Sequence, residues 1–142
     1  MEILLVEDNE ADAYLTKKAL RTGLPDSHVT VVEDGEKALL CLQEEETVAS
    51  AQRPELIVLD INLPRLDGFD VLARLRAIPQ LCNIPTIILS SSTSESDIER
   101  AYRLGAYHYL TKPMTLHAYL GLGHAIAKLW QRWTLQSRAL PA

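Results

Sequence analysis

Short apolar runs alternate along the whole chain with segments whose apolar residues recur every three or four positions. Continuous apolar runs of about four to eight residues are typical of strands buried on both faces. Apolar residues that recur every three or four positions are typical of helices with one buried face. The strand-like runs begin at Ile3, His28, Glu55, Thr86 and Tyr107, and each precedes a helix-like segment. Five such pairs predict right-handed βαβ crossovers and one parallel sheet between two helical layers.

The helices are bounded by residues that favour helix starts and ends. Ser94, followed three residues later by Asp97, is typical of a helix start, and Gly105 is typical of the position just after a helix. Gly23 and Pro25 are expected to end the first helix. The predicted buried faces are Ala11, Tyr14, Leu15 and Ala19 on the first helix, and Ile98, Ala101 and Tyr102 on the fourth.

The last helix is predicted to be the longest. From Thr115 onward, apolar residues keep helical spacing as far as Trp133, and fraying is expected after Leu135. No linker, repeat or low-complexity segment divides the chain, so residues 1–142 are predicted to form one domain. We expect a core of about residues 1–128 and a C-terminal helical extension of about residues 129–142.

Composition narrows the class of protein. The chain has 142 residues, of which 47% are hydrophobic and 23% charged, and these values are typical of one globular domain. The net charge of −5 argues against nucleic-acid binding, which depends on Lys and Arg. No apolar run reaches the about 18 residues of a membrane-spanning helix. We therefore expect a cytoplasmic protein that binds neither nucleic acid nor membrane.

Polar side chains follow four of the predicted strands. In open α/β sheets, ligands bind outside the carboxyl ends of the strands, at the point where the strand order reverses. The ends of the first, third, fourth and fifth strands of a doubly wound sheet converge on this crevice. The residues at these ends are Glu7 and Asp8, Asp60 and Asn62, Ser90 and Ser91, and Lys112.

The chemistry of these residues predicts a phosphoryl-transfer site. The carboxylates of Glu7, Asp8 and Asp60 would repel one another, and this repulsion favours a bound cation. Hard oxygen ligands with room for water suit Mg²⁺. An ammonium from Lys112 and a hydroxyl from Ser90 could hold phosphoryl oxygens. Asp60 is the expected nucleophile, because an ionised carboxylate needs no separate base.

Four motifs in this order resemble the receiver domain of two-component response regulators, of which CheY is the minimal example. They are LLVEDN at 4–9, VLDINLPRLDG at 58–68, ILSSS at 88–92 and YLTKP at 109–113. The resemblance covers essentially the whole chain. It implies a flavodoxin-like (βα)5 domain with strand order 2-1-3-4-5.

The same resemblance implies a role for each residue. Asp60 corresponds to the phosphoacceptor, and the metal would be held by Asp60, by Asp8 directly, by Glu7 through water and by the backbone carbonyl of Asn62. Lys112 would pair with the phosphoryl group, and Ser91 would lie near it. Ser90 corresponds to the switch hydroxyl and Tyr109 to the switch aromatic, which would rotate into the space that Ser90 leaves. The bond from Lys112 to Pro113 is expected to be cis, as in the family.

Softer features are similar to stand-alone regulators paired with cyanobacterial and bacterial phytochromes. These are NLPRLDGFDVLARLR at 62–76, SSSTSESDI at 90–98 and a tail with two tryptophans. The implied partner is a phytochrome-type sensor histidine kinase, and the implied output is a changed surface on the fourth helix, fifth strand and fifth helix. An alternative is a phosphate-relay or phosphate-sink receiver for a kinase of another type.

Other functions agree less well with the residues. The resemblance implies a phosphoacceptor that assists its own phosphorylation and dephosphorylation, rather than an enzyme with a separate substrate. A phosphatase of the haloacid dehalogenase type would need a second aspartate where Asn62 stands. A flavin protein would not place Glu7 and Asp8 against a phosphate. A docking module without phosphorylation would lack the acid pair or Lys112.

The C-terminal tryptophans predict a contact surface. Trp130 and Trp133 lie where the last helix is expected to extend beyond the sheet, beside Leu129. Either the two rings close the core at the end of this helix, or at least one of them protrudes; an exposed apolar patch of this kind would mark a partner surface. We therefore expect a homodimer that uses the fourth helix, the fifth strand, the fifth helix and its C-terminal extension.

Overall fold

Strands and helices alternate five times along the part of the chain that the structure describes. The computed structural model describes residues 1–44 and 53–139, with side chains as far as residue 137. The strands are β1 (Glu2–Val6), β2 (His28–Val32), β3 (Leu56–Leu59), β4 (Thr86–Ser90) and β5 (His108–Thr111). The helices are α1 (Glu10–Gly23), α2 (Gly35–Gln43), α3 (Gly68–Ala77), α4 (Glu95–Arg103) and α5 (Leu116–Ala139).

The five strands form one parallel sheet with the order β2-β1-β3-β4-β5. In the register, Val6 is opposite Leu59 and Ser90 is opposite Thr111. All four residues of β3 and all five of β4 are buried, as expected for strands covered on both faces. The predicted doubly wound fold and strand order are confirmed. The carboxyl ends of β1, β3, β4 and β5 therefore lie along one edge of the sheet.

Two hydrophobic cores lie on opposite faces of the sheet. The core on one face includes residues of α2, α3 and α4, such as Leu42, Leu72 and Ala101. The other core includes residues of α1 and α5, such as Leu20 and Ile126. Within the described ranges, none of the helices combines the length and the apolar character needed to cross a membrane.

Short polar side chains start four of the helices. The caps are Asn9, Asp34, Asp67 and Ser94, whose side chains accept hydrogen bonds from the backbone N–H three residues later. Such caps satisfy donors that the first turn of a helix leaves unpaired. They bring the starts of α1, α3 and α4 close to the strand ends that precede them, so the first turns of these helices border the predicted site.

The buried face of α1 differs from the prediction. Tyr14 is 67% exposed, and the buried positions are Ala13, Thr16, Ala19 and Leu20. The physical reason is the close approach of α1 to α5. A Cβ on Gly123 would overlap the carbonyl oxygen of Ala19, so the backbones of the two helices touch there. Small residues must therefore face α5, and the larger Tyr14 faces solvent.

The predicted buried face of α4 is correct only in part. Ala101 is fully buried and Ile98 packs against the core, but Tyr102 is 43% exposed. The Tyr102 hydroxyl accepts a hydrogen bond from the backbone N–H of Tyr109 at 3.1 Å. Tyr102 therefore crosses the surface of β5 instead of entering the core, because its polar end needs a partner.

Of the two alternatives for the tryptophans, the structure favours the one in which the rings close the core. Leu129 is only 7% exposed, and Trp130 packs against the core between the sheet, α1 and α5. The ring of Trp133 meets that of Tyr107 edge to face, with centroids 5.2 Å apart. Helix α5 continues without a break to Ala139, so these rings cover the end of the sheet. The exposed apolar residue in this part of α5 is Leu135, at 67%.

Candidate functional site

The predicted site residues meet at the carboxyl edge of the sheet. The backbone fixes their positions, because the N–H of Asp60 donates to the carbonyl of Val6 at 3.1 Å and the N–H of Lys112 donates to that of Ser90 at 2.8 Å. These bonds extend the pairing of the strands by one step beyond β3 and β5. Side chains from β1, β3, β4 and β5 therefore enter one pocket.

Lys112 is the only cation in the described pocket, and three carboxylates surround it. Its Nζ lies 2.7 Å from Oε1 of Glu7, 2.9 Å from Oδ2 of Asp12 and 3.0 Å from Oδ2 of Asp60. The side chain of Lys112 is 9% exposed, and those of Glu7 and Asp60 are 2% and 5% exposed. Charge-assisted hydrogen bonds of this length are strong where water is excluded.

Burial and charge shift the pKa values of two of these groups. Burial raises the pKa of Glu7 to about 7; the hydrogen bond from Lys112 opposes this shift and the charge of Asp60 adds to it. Burial alone would lower the pKa of Lys112, but the hydrogen bonds to Glu7, Asp12 and Asp60 outweigh this effect and raise it. Lys112 therefore stays charged.

Three of the acids are arranged to hold a divalent cation. Glu7, Asp8 and Asp60 each offer a carboxylate oxygen, and these oxygens lie within 4.8 Å of one another. With Asp12 included, four carboxylates face one ammonium, so the pocket keeps a negative charge that a cation would neutralise. Hard oxygen donors, one of them on the exposed Asp8, match the preference of Mg²⁺ or Mn²⁺ for carboxylates and water. The residues fit such an ion.

Asn62 lies directly beside Asp60. Its backbone N–H donates to Oδ1 of Asp60 at 3.2 Å, while its side chain is exposed. Oδ1 of Asp60 therefore accepts from the backbone and Oδ2 from Lys112. Both bonds orient the carboxylate.

The two predicted serines have different environments. Ser90 is fully buried at the end of β4, and its Oγ accepts a hydrogen bond from the N–H of Ser92 at 3.2 Å. Ser91 is exposed. The hydroxyl of Ser90 thus lies at the base of the loop between β4 and α4, where its O–H can donate to an acceptor that enters the pocket.

Tyr109 is already in a buried position. It is 8% exposed, and its hydroxyl donates to the carbonyl oxygen of Ser92 at 2.7 Å. Tyr109 thus already has the inward position in this conformation, and its rotation upon phosphorylation stays a prediction. The bond to Ser92 explains the inward position, because a buried hydroxyl needs a partner. It also ties β5 to the loop that carries Ser90 and Ser91.

The expected cis bond before Pro113 is not present. Residues 1–44 and 53–139 contain no cis peptide bond, so Lys112 and Pro113 are joined in the trans form. The trans isomer is intrinsically more stable by about 0.5–1 kcal/mol for bonds before proline. Lys112 reaches its three carboxylates with this geometry.

Asp12 is the site residue that the sequence analysis did not identify. It lies in the first turn of α1, and its backbone N–H donates to the cap residue Asn9 at 2.9 Å. The prediction of the site used only the residues at the carboxyl ends of the strands, and Asp12 lies four residues after Asp8, within a helix. Because a helix that follows a strand begins at the carboxyl edge, acids in its first turn face the same crevice, and this rule could have identified Asp12.

Comparisons with known proteins agree with this geometry. Residues 3–120 match the model of the response regulator receiver domain family. The response regulator Rcp1 of Synechocystis sp. is 37% identical over 140 residues, which are 99% of this chain and 92% of Rcp1.

Two solved structures are similar over almost their whole length. The Mn²⁺-bound form of Rcp1 is 38% identical with a TM-score of 0.80, and the alignment covers 99% of each chain. The phosphorylated cyanobacterial phytochrome response regulator RcpA is 39% identical with a TM-score of 0.83, and the alignment covers 99% of this chain and 98% of RcpA.

Proposed function

Because the chain belongs to the response regulator receiver domain family, we propose that it accepts a phosphoryl group on Asp60 from a histidine kinase. The observation that carries this proposal is the geometry of Asp60. Its carboxylate is 5% exposed, lies 3.0 Å from the ammonium of Lys112 and shares a pocket with Glu7 and Asp8. A buried, oriented and ionised carboxylate is a nucleophile for phosphorus, and the cation beside it can stabilise the transferred group.

The transfer exchanges one bond to phosphorus for another. A carboxylate oxygen of Asp60 bonds to phosphorus while the P–N bond of a phosphohistidine breaks. The electron pair of the broken bond stays on the histidine nitrogen, which takes up a proton. Lys112 is placed to stabilise the charge on the phosphoryl oxygens during this exchange. Hydrolysis by water would reverse the modification, so the chain would assist both its own phosphorylation and its own dephosphorylation.

We assign Mg²⁺ as the ion of this site, held by Glu7, Asp8, Asp60 and the backbone carbonyl of Asn62. When bound, such an ion neutralises negative charge on phosphoryl oxygens. The support is the convergence of three carboxylates within 4.8 Å and the Mn²⁺-bound structure of Rcp1, which is 38% identical. Burial of Glu7 and Asp60 near one another favours a cation, because two ionised carboxylates repel.

The proposed switch connects the pocket to β5. The hydroxyl of Ser90 would leave the N–H of Ser92 for a phosphoryl oxygen on Asp60, with Ser91 at the mouth of the pocket. Since Tyr109 donates to the carbonyl of Ser92, a move of this loop changes the hydrogen bond of Tyr109. The surface formed by α4, β5 and α5 would then shift between two populations.

The test compares three proteins in acetyl phosphate and Mg²⁺. Wild type and Asp70→Asn are expected to gain one phosphoryl group, whereas Asp60→Asn is expected to gain none. Asp70 is an exposed acid in the first turn of α3 and serves as the matched control. Intact-protein mass spectrometry gives the result. Equal phosphate incorporation by Asp60→Asn and wild type would reject Asp60 as the acceptor.

We propose a phytochrome-type histidine kinase as the donor. The support is the 39% identity to a phosphorylated cyanobacterial phytochrome response regulator over 99% of this chain. Phosphotransfer from the sensor kinases of the same organism, measured at short times, should be fastest with a phytochrome-type kinase. Faster transfer from another kinase or from a phosphorelay protein would favour the relay or sink function.

We also propose that residues 1–142 act as one cytoplasmic receiver domain, with a core of about 1–128 and an extension of about 129–142.

We propose that this domain forms a homodimer through α4, β5, α5 and the C-terminal extension. Leu135, which is 67% exposed, supports a contact there. Leu135→Glu should lower the mass measured by light scattering, whereas Leu40→Glu, on the 64% exposed Leu40 of α2, should not. The same mass for both variants would contradict this interface.

A further inference from the structure

The ammonium of Lys112 is enclosed by three carboxylates in this structure. A lysine ammonium carries three N–H groups and no acceptor. They form hydrogen bonds with Asp12 at 2.9 Å and with Asp60 at 3.0 Å, and the ammonium also lies 2.7 Å from Oε1 of Glu7. A phosphoryl group on Asp60 takes over the bond that Lys112 now makes to the Asp60 carboxylate and brings further oxygens, so Lys112 can bind a second one only if Glu7 or Asp12 loses its contact. The structure indicates which carboxylate is released.

Asp12 is the partner that can be released at the lowest cost. Its side chain is 29% exposed, whereas those of Glu7 and Asp60 are 2% and 5% exposed. Water can replace the ammonium at a partly exposed carboxylate, but a fully buried carboxylate without a partner is costly. The bond to Glu7 is also the shortest of the three. Lys112 is therefore expected to keep Glu7 and to leave Asp12.

A second donor is available to Asp12 on α5. The hydroxyl of Tyr119, which is 6% exposed, lies near the Asp12 carboxylate. Burial is the main cause that raises the pKa of Tyr119, and the charge of Asp12 adds to it. Tyr119 therefore keeps its proton and can donate it to Asp12 when Lys112 moves away.

We propose that Asp12 is a positioning residue that holds Lys112 while Asp60 is unmodified, and that Lys112 leaves Asp12 when an oxyanion binds at Asp60. This inference rests on the proposed function, because it takes Asp60 as the acceptor. Asp12 touches Lys112 and not the reacting atoms, so it acts through Lys112 alone. By competing for Lys112, Asp12 weakens the binding of a phosphoryl group.

The test measures the affinity for beryllofluoride, a phosphoryl mimic, in the presence of Mg²⁺ by calorimetry. Asp12→Asn is expected to bind about five-fold more tightly than wild type, which corresponds to about 1 kcal/mol for one partly exposed ion pair. Glu10→Gln is the matched control, because Glu10 is an exposed acid in the same turn of α1. It removes the same charge and should change the affinity less than two-fold, as a screened surface charge does.

A double-mutant cycle shows whether Asp12 acts by positioning Lys112 or only by adding negative charge to the pocket. In a Lys112→Met background, Asp12→Asn should no longer change the affinity, because the residue through which it acts is absent. A second readout needs no metal. The ¹⁵N signal of the Lys112 ammonium should shift in Asp12→Asn and stay unchanged in Glu10→Gln, since Asp12 accepts a hydrogen bond from this ammonium and the exposed Glu10 does not contact it.

The outcomes separate this inference from the proposed function. If wild type does not bind beryllofluoride, the proposed function fails. If wild type binds and Asp12→Asn matches Glu10→Gln or binds more weakly, the proposed function stands and the role of Asp12 is overturned. An equal effect of Asp12→Asn with and without Lys112 would also overturn it. Thermal melts of each variant show whether the fold is intact.

Discussion

The ammonium nitrogen of Lys112 lies 2.7 Å from Oε1 of Glu7, and both side chains are almost completely buried. A buried ion pair is costly to break from one side, because the remaining charge has neither water nor a partner. Two further carboxylates, on Asp12 and Asp60, depend on the same ammonium. The stability of the metal-free pocket is therefore expected to depend on Lys112.

Lys112→Met is predicted to lower the free energy of unfolding, measured in the presence of a metal chelator, by about 3 kcal/mol. This value is at the low end of the cost of breaking a buried ion pair, because the Asp12 carboxylate stays partly hydrated. Mg²⁺ should raise the melting temperature of this variant more than that of wild type, since it supplies part of the missing charge. Urea and thermal unfolding measure both effects.

The control for this change is Lys37→Met. Lys37 lies 3.6 Å from Glu33, but both side chains are mostly exposed. Exposed pairs of this kind contribute at most about 1 kcal/mol, so little change is expected. If Lys112→Met were as stable as Lys37→Met without metal, the pocket would not depend on its buried cation.

Two glycines of α5 are predicted to respond differently to alanine. In Gly123→Ala, the added Cβ would overlap the carbonyl oxygen of Ala19, so α1 and α5 must move apart. Such overpacking costs about 1–3 kcal/mol. In Gly121→Ala, the Cβ meets nothing within 4 Å, and the better helix propensity should stabilise the protein by up to about 1 kcal/mol. Urea denaturation of both variants measures the difference.

Gly123→Ala is expected to lower the free energy of unfolding and Gly121→Ala to raise it, so the two variants together test the contact between α1 and α5. Both replace a glycine by alanine within one helix, so their effects on the unfolded chain are the same. Only the contact with α1 differs. Equal stabilities of the two variants would mean that the backbones of α1 and α5 do not meet at Gly123.

Tyr109→Phe is predicted to loosen the loop between β4 and α4. It removes the hydrogen bond from the hydroxyl to the carbonyl of Ser92, which should cost about 1 kcal/mol. Amide hydrogen exchange should become faster for the loop at residues 91–94, because this bond ties it to β5. Tyr14→Phe, at a tyrosine that is 67% exposed, is the control. Unchanged exchange in Tyr109→Phe would show that this bond does not hold the loop.

The positions of Asp60 and Lys112 were predictable because they follow from strand order alone. Each strand is a short apolar run, and the next polar residue lies at the carboxyl edge of a parallel sheet. The strand order β2-β1-β3-β4-β5 then places the ends of β1, β3, β4 and β5 side by side. Glu7, Asp8, Asp60 and Lys112 accordingly meet in one pocket.

The packing of the helices was less predictable. Helical spacing identifies α1 and α5, but several faces of α1 carry apolar residues. The close contact of Ala19 with Gly123 selects the face with small residues and leaves Tyr14 in solvent. In the same way, the contact of Trp133 with Tyr107 decides between the packed and the protruding position that the sequence left open for the tryptophans.

The chain by itself determined the alternation of strands and helices, the chemistry at each strand end and hence the kind of site, because these depend on local spacing and residue type. Only the tertiary structure decided that Asp12 joins Lys112, that Tyr109 points inward and that the tryptophans are covered. These features depend on distances between residues far apart in sequence, and the packing of whole elements sets those distances.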